Sequence, residues 1–83
     1  MGEDENAGVG REMTFGEKAV GLSFNPGGNA DVTAIKTCYA AIIDQLNDSK
    51  TTEHSETNRL LSIAITEAQA AQMWAVKAVT WKD

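Results

Sequence analysis

The residues with chemistry to offer gather in two stretches. One is the loop Ser23-Phe-Asn-Pro-Gly-Gly-Asn29, with Lys18 upstream and Lys36 downstream. Pro26-Gly27 suits the central positions of a type II turn, and Gly28 and Asn29 both tolerate positive φ. Such a loop, entering a helix N-terminus, offers backbone N–H groups of residues such as Asn25 and Gly28 to an anion. The lysines add charge, and Phe24 or Phe15 supplies a π face for a nucleobase. The second stretch is a long helical segment in which Arg59, Thr66, Gln69, Gln72 and Lys77 stand amid apolar neighbours. Thr66, Gln69, Met73 and Lys77 follow one another at helical spacing and share a face. That face serves either to read phosphates and base edges or as a hydrogen-bond seam between subunits.

Catalysis finds no such support. A nucleophile needs a neighbouring base and an orienting group. His54 falls in a polar connecting segment, and Cys38 falls on a line expected to face the core, as a small hydrophobe. Asp44 and Asp48 are one helical turn apart, but nothing completes a metal site, so they read as a solvated face. One Cys and one His make neither a disulfide nor a zinc ligand set. The net charge of -5 argues against a binder of DNA or RNA, which releases counterions through a basic patch. A small anion needs only a few placed donors.

The elements that position these residues are helical. Residues 1–11 are acidic and polar and read as a disordered tail, without the basic and apolar regions of a signal peptide. No segment is apolar for long enough to span a membrane. Residues 12–83 form the domain. Thr14-Phe-Gly-Glu17 matches a capping box opening a short helix from Phe15 to about Val20, ended at Gly21. A second helix is expected from about Asp31 to Asn47, capped by Asn29 or Asp31. Its expected buried seam is Val32, Ile35, Tyr39, Ile42 and Leu46, with Ala34, Cys38 and Ala41 beside it. The polar stretch 48–55 connects it to the long helix of residues 59–82, with Ser55 or Thr52 as cap. The result is an all-α antiparallel helical hairpin with a short N-terminal helix.

That long helix is apolar on two sides. Leu60, Ile63, Ala70, Trp74 and Trp81 form one row, while Leu61, Ala64, Ala68, Ala71, Ala75 and Val79 form another. At 1.5 Å per residue it runs roughly 36 Å, farther than the preceding helix reaches. A two-helix unit leaves the Trp74-to-Trp81 end uncovered unless the N-terminal segment folds there. Each large side chain left out forgoes about 1.5–3 kcal/mol. A symmetric homo-oligomer is therefore expected.

At these same residues the chain resembles the phage hairpin-domain cyclic-nucleotide sponges, of the anti-CBASS and Thoeris anti-defence type. The resemblance is carried by Phe15-Gly-Glu-Lys-Ala-Val-Gly-Leu-Ser-Phe-Asn-Pro-Gly-Gly-Asn29, by Ser62-Ile-Ala-Ile-Thr-Glu-Ala-Gln69 and by Ala71-Gln-Met-Trp-Ala-Val-Lys-Ala78. It implies a homohexamer that sequesters cyclic di- and trinucleotide immune signals in the bacterial host cytoplasm without degrading them. It implies no cofactor, no metal and no enzymatic activity. By position, Phe24 (or Phe15 in its place) would stack on a base in a pocket between protomers, and Lys36 would meet phosphate. The pattern Thr66, Gln69, Met73 and Lys77 would line a second pocket for cyclic trinucleotides. The expected ligand-binding set is Phe24, Asn25, Gly28, Lys36, Lys18, Arg59, Thr66, Gln69 and Lys77. The competing expectation is a structural or regulatory helical oligomer that binds a protein partner through its Trp74/Trp81 end.

Overall fold

Two tight caps make a viable helix of a very short segment. In the computed structural model, which describes residues 12–83, this is α1 (Phe15–Val20). The tail expected over 1–11 lies outside the described residues. Thr14 Oγ1 accepts from the Glu17 amide at 3.1 Å, and the Thr14 amide donates to Glu17 Oε1 at 2.9 Å, completing the capping box. At the other end Gly21 turns left-handed, with φ 62°. Its amide donates to the Lys18 carbonyl at 3.1 Å and that of Leu22 donates to Glu17 O at 3.0 Å, the paired bonds of a Schellman motif. Leu22 then packs on the core.

The chain continues through α2 (Ala30–Asp48) and α3 (Glu56–Thr80), and no strand occurs among the described residues. The loop before α2 departs from the expected type II turn, which requires positive φ at Gly27. The left-handed residue is Gly28, with φ 63°, and its amide donates to Asn25 O at 2.9 Å. A turn of type I geometry with glycine at its last position satisfies that bond, and it leaves Asn29 placed to cap. Asn29 Oδ1 accepts from the Asp31 and Val32 amides at 2.8 and 3.2 Å. Ser55, not Thr52, caps α3 by accepting from Asn58 N at 3.1 Å. Asn58 in turn holds the connecting loop, accepting from the Thr51 amide and donating to its carbonyl.

Helices α2 and α3 run antiparallel, with Val32 and Lys36 of α2 beside Val76 of α3. The core is small: Val20, Ala40, Ile43 and Ile65, with Tyr39, Leu46, Leu22 and Ala68 packed against it. Helix α1 lies on α2 by way of Gly16, where a Cβ would run into the Ala40 carbonyl oxygen. The Gly16 amide, lacking an intrahelical acceptor so near the helix start, donates to Asp44 Oδ1 at 2.7 Å. Asp44, expected on a solvated face, is half-buried and docks the short helix.

The buried row of α2 differs from the expected seam. It is Val32, Lys36, Ala40 and Ile43, whereas Ile42 is 49 % exposed. The face is rotated because α2 must meet both α1 and α3, and because Lys36 goes inside. A pattern that scores lysine as polar points the helix the wrong way. Cys38 falls on the far side of this row and is exposed, correcting its expected place on the core line.

On α3 the two apolar rows separate only in part, since Ala70 of the first is half-buried and Ala71 and Val79 of the second are exposed. Leu61, Ala64, Ala68 and Ala75 are half-buried, while Leu60, Ile63, Trp74 and Trp81 are exposed. The loop of residues 24–29 lies alongside Val76, Val79 and Trp81, so the N-terminal segment reaches this end of α3 and still leaves the tryptophans uncovered.

Candidate functional site

Lys36 explains how the loop is held. It is only 6 % exposed, yet no carboxylate pairs with it among the described residues. Its Nζ donates to the carbonyls of Gly21 at 3.0 Å and of Phe24 at 2.6 Å. These two acceptors bracket the bend between α1 and the loop. An ammonium carries three N–H groups, so one remains for another acceptor. A buried cation held only by neutral carbonyls is incompletely compensated, and an arriving anion relieves that.

Phe24 stands over this cation, with its ring centroid 5.6 Å from Lys36 Nζ, inside cation–π range. It is nevertheless 72 % exposed. A bare phenyl ring fixed by its own backbone is a platform for a flat apolar or aromatic surface. Phe15 is about half exposed on α1.

Phe24 and Lys36 together divide two open grooves. One, of 490 Å³, runs over the loop and the end of α3, with Asn25, Pro26, Val32, Val79 and Trp81 among its walls. The other, of 650 Å³, lies between α1 and α3 and is lined by Lys18, Gly21, Gln69, Gln72 and Met73 as well. Both fall in the size range of small-molecule sites.

The structure brings Phe24, Lys36, Lys18 and Gln69 around one groove, and Asn25 joins the first two at the other. Asn25 is half-buried and braces the loop: its Nδ2 donates to Asn29 O at 2.8 Å and Thr33 Oγ1 at 2.9 Å, and its Oδ1 accepts from Asn29 N at 3.2 Å. Gly28 has its amide bonded within the loop and lines neither groove. The N–H groups of Gly28, Asn29, Asp31 and Val32 all have internal acceptors and are committed to the turn and the helix cap.

The long-helix residues do not converge. Arg59 and Thr66 share a shallow groove with Ser62 and Ile63, while Lys77 lies with Met73 and Trp74. Arg59 forks onto Glu56, Nε to Oε1 at 2.9 Å and Nη2 to Oε2 at 2.6 Å. That hydrogen bonding holds the Glu56 carboxyl below its ordinary pKa and raises that of the guanidinium. Lys77 Nζ sits 5.3 Å from the Trp74 ring and 5.8 Å from that of Trp81.

Gln72, which the sequence marks only as a polar residue amid apolar neighbours, is outside the expected ligand-binding set. It is buried and borders the groove behind Phe24. Its signal was present in the sequence, since it falls in helical register with Leu61, Ile65, Ala68 and Val76. An amide in an inward apolar row marks a polar group that the fold must accommodate.

The model of one protein family, the Acb2/Tad1 hairpin domain, matches residues 17–80. No curated protein and no solved structure gives a significant match.

Proposed function

The chain belongs to the Acb2/Tad1 hairpin-domain family, and from that premise we propose that it binds cyclic oligonucleotide second messengers and sequesters them intact, blunting bacterial anti-phage signalling. The observation that carries this reading is the exposed Phe24 ring beside a buried, carboxylate-free Lys36. A cyclic dinucleotide presents flat bases and phosphodiester anions at short range from each other. An aromatic platform with a cation behind it complements that combination, and Lys18 adds charge at the rim of the groove. Sequestration needs affinity and abundance in the host cytoplasm, not a nucleophile.

The protomer works as part of a homo-oligomer in this reading, a hexamer by resemblance. The exposed row Leu60, Ile63 and Trp74 on α3 is the surface that copies would cover. Symmetry would then duplicate Phe24 and Lys36 around a ligand that is itself two-fold. Thr66, Gln69, Met73 and Lys77, which line no single groove in one protomer, would form a cyclic-trinucleotide pocket only where copies meet.

Isothermal titration calorimetry with a panel of cyclic di- and trinucleotides tests the reading. Saturable binding, with the ligand recovered unaltered after denaturation, is expected. Degraded ligand would overturn sequestration. A chain that binds none of them leaves the second reading, a helical oligomer that docks a protein partner, which the exposed Trp74 and Trp81 rings favour. Sedimentation at a mass of one 8.9 kDa chain would overturn the oligomer.

A further inference from the structure

We infer that Gln72 is the specificity-determining residue of the Phe24/Lys36 groove, its side-chain amide hydrogen-bonding the edge of the base that stacks on Phe24. The inference rests on the cyclic-nucleotide reading and adds to it a residue in a role of its own.

Gln72 is 5 % exposed, and its side chain has no hydrogen-bond partner among the described residues. Buried amides in folded proteins are almost always paired, because an unmade bond leaves the whole desolvation penalty uncompensated. Besides solvent water at the open groove, three things can satisfy this one: the protein's own chain, another copy of it, or a ligand. The first is missing among the described residues. The second could reach it only by way of the groove, not from the exposed row of α3. Gln72 shares the inward row of α3 with Ile65, whereas the exposed apolar residues Leu60, Ile63 and Trp74 point to the opposite side. The third fits, because Gln72 borders the same groove as Phe24 and Lys36.

The chemistry is also matched. A glutamine amide carries a donor and an acceptor side by side, the pattern that pairs with a nucleobase edge in two hydrogen bonds. Phe24 contacts any base by its face and Lys36 any phosphate, so neither distinguishes one base from another. Gln72 supplies the directional bonds that the other two lack. Gln69, one turn away and half-buried at the same groove, can turn to solvent and is not committed in this way.

A residue kept unsatisfied for a ligand has a signature that a structural residue does not. Replacing it with an apolar side chain of similar size stabilises the empty protein while weakening the complex. Gln72→Leu and Gln72→Met are therefore made in the full chain and compared with wild type. Melting is followed at one protein concentration without ligand, and calorimetry uses cyclic di-AMP and cyclic di-GMP as probes. The expected result is a melting temperature raised by about 4–8 °C, with affinity for the better-bound probe lowered tenfold or more. A lowered melting temperature in both variants would show that the amide already has a structural partner, overturning the inference. Unchanged affinity alongside normal wild-type binding would overturn it too, leaving the Phe24/Lys36 reading intact. If wild type itself bound no member of the nucleotide panel, the functional reading and this inference would fall together.

Discussion

Two lysines in this molecule stand over aromatic rings, and they do so in opposite circumstances. Lys36 lies 5.6 Å from Phe24, buried, with two carbonyls fixing its ammonium. Lys77 lies between Trp74 and Trp81 at 5.3 and 5.8 Å, exposed, with its partners one helical turn to either side. The first arrangement is assembled from three elements, α1, the loop and α2. The second is local to one helix and its end. A desolvated cation is worth more to an arriving anion than a hydrated one, and a fixed one costs less to immobilise. Distance to a ring is therefore a poor guide to function. What separates the two sites is how much of the fold holds the cation still.

The contrast breaks most directly at the lysines. Lys36→Ala removes the clamp on the loop and, in the proposed complex, a charge-assisted bond to phosphate. Affinity for a bound cyclic dinucleotide should fall by about 100-fold or more by calorimetry. Lys77→Ala should alter it by no more than about fivefold, the scale of an exposed cation–π contact. Equal losses would erase the distinction. Next in size, Trp74→Glu puts a charge on the exposed row of α3 and should lower the sedimenting mass while leaving helix content intact by circular dichroism. A mass unchanged from wild type would remove that row from the interface.

Gly16→Ala acts on the scaffold of the first site only. A methyl group there meets the Ala40 carbonyl, and overpacking of this kind destabilises by roughly 1–3 kcal/mol. Urea denaturation should show that loss, and nucleotide affinity should weaken while the tryptophan emission of the Lys77 end stays the same. The smallest effect is at Glu56. Arg59 lowers its pKa, so any stability the pair contributes is present above the ordinary carboxylate pKa and lost as pH falls through the depressed one. Both side chains are well exposed, and solvent screens the pair. Glu56→Gln should shift the melting temperature at neutral pH by no more than the scatter between replicate melts.

Local rules in the sequence located the elements well. Thr14 and Glu17 announce the start of α1 and Gly21 its end, whereas the sequence left Asn29 or Asp31 and Ser55 or Thr52 open as the caps of α2 and α3 and began the long helix at Arg59, one turn late. Facing was harder. Apolar spacing alone put Ile42 inside and Cys38 near the core, since it had no means of knowing that Lys36 would find carbonyls at Gly21 and Phe24. Those acceptors exist only after α1 has closed in its Schellman turn and docked through Gly16. Lys36 and an aromatic partner, Phe24 or Phe15, were legible as candidates by type, and their pairing came from the resemblance. Asn25 was legible as a polar loop residue, but its engagement with Asn29 and Thr33 depends on the turn's handedness. Thr66 and Lys77 share a helical face on paper, yet they open onto different grooves, because neighbours in space, not spacing, enclose a site.

The Gly21 carbonyl accepts twice, from the Phe24 amide at 2.9 Å and from Lys36 Nζ at 3.0 Å, and Lys36 also grips the Phe24 carbonyl. Every one of these bonds is made by main-chain atoms on the loop side. The side chain at position 24 takes no part in them. It is an interchangeable tip on a fixed mount: exchanging the ring for another leaves its bearing and height set by the same hydrogen bonds. A single codon can thus change how strongly the groove stacks a base, with no repacking beneath it. Position 21 has no such liberty, for its φ of 62° is what bends the mount into place.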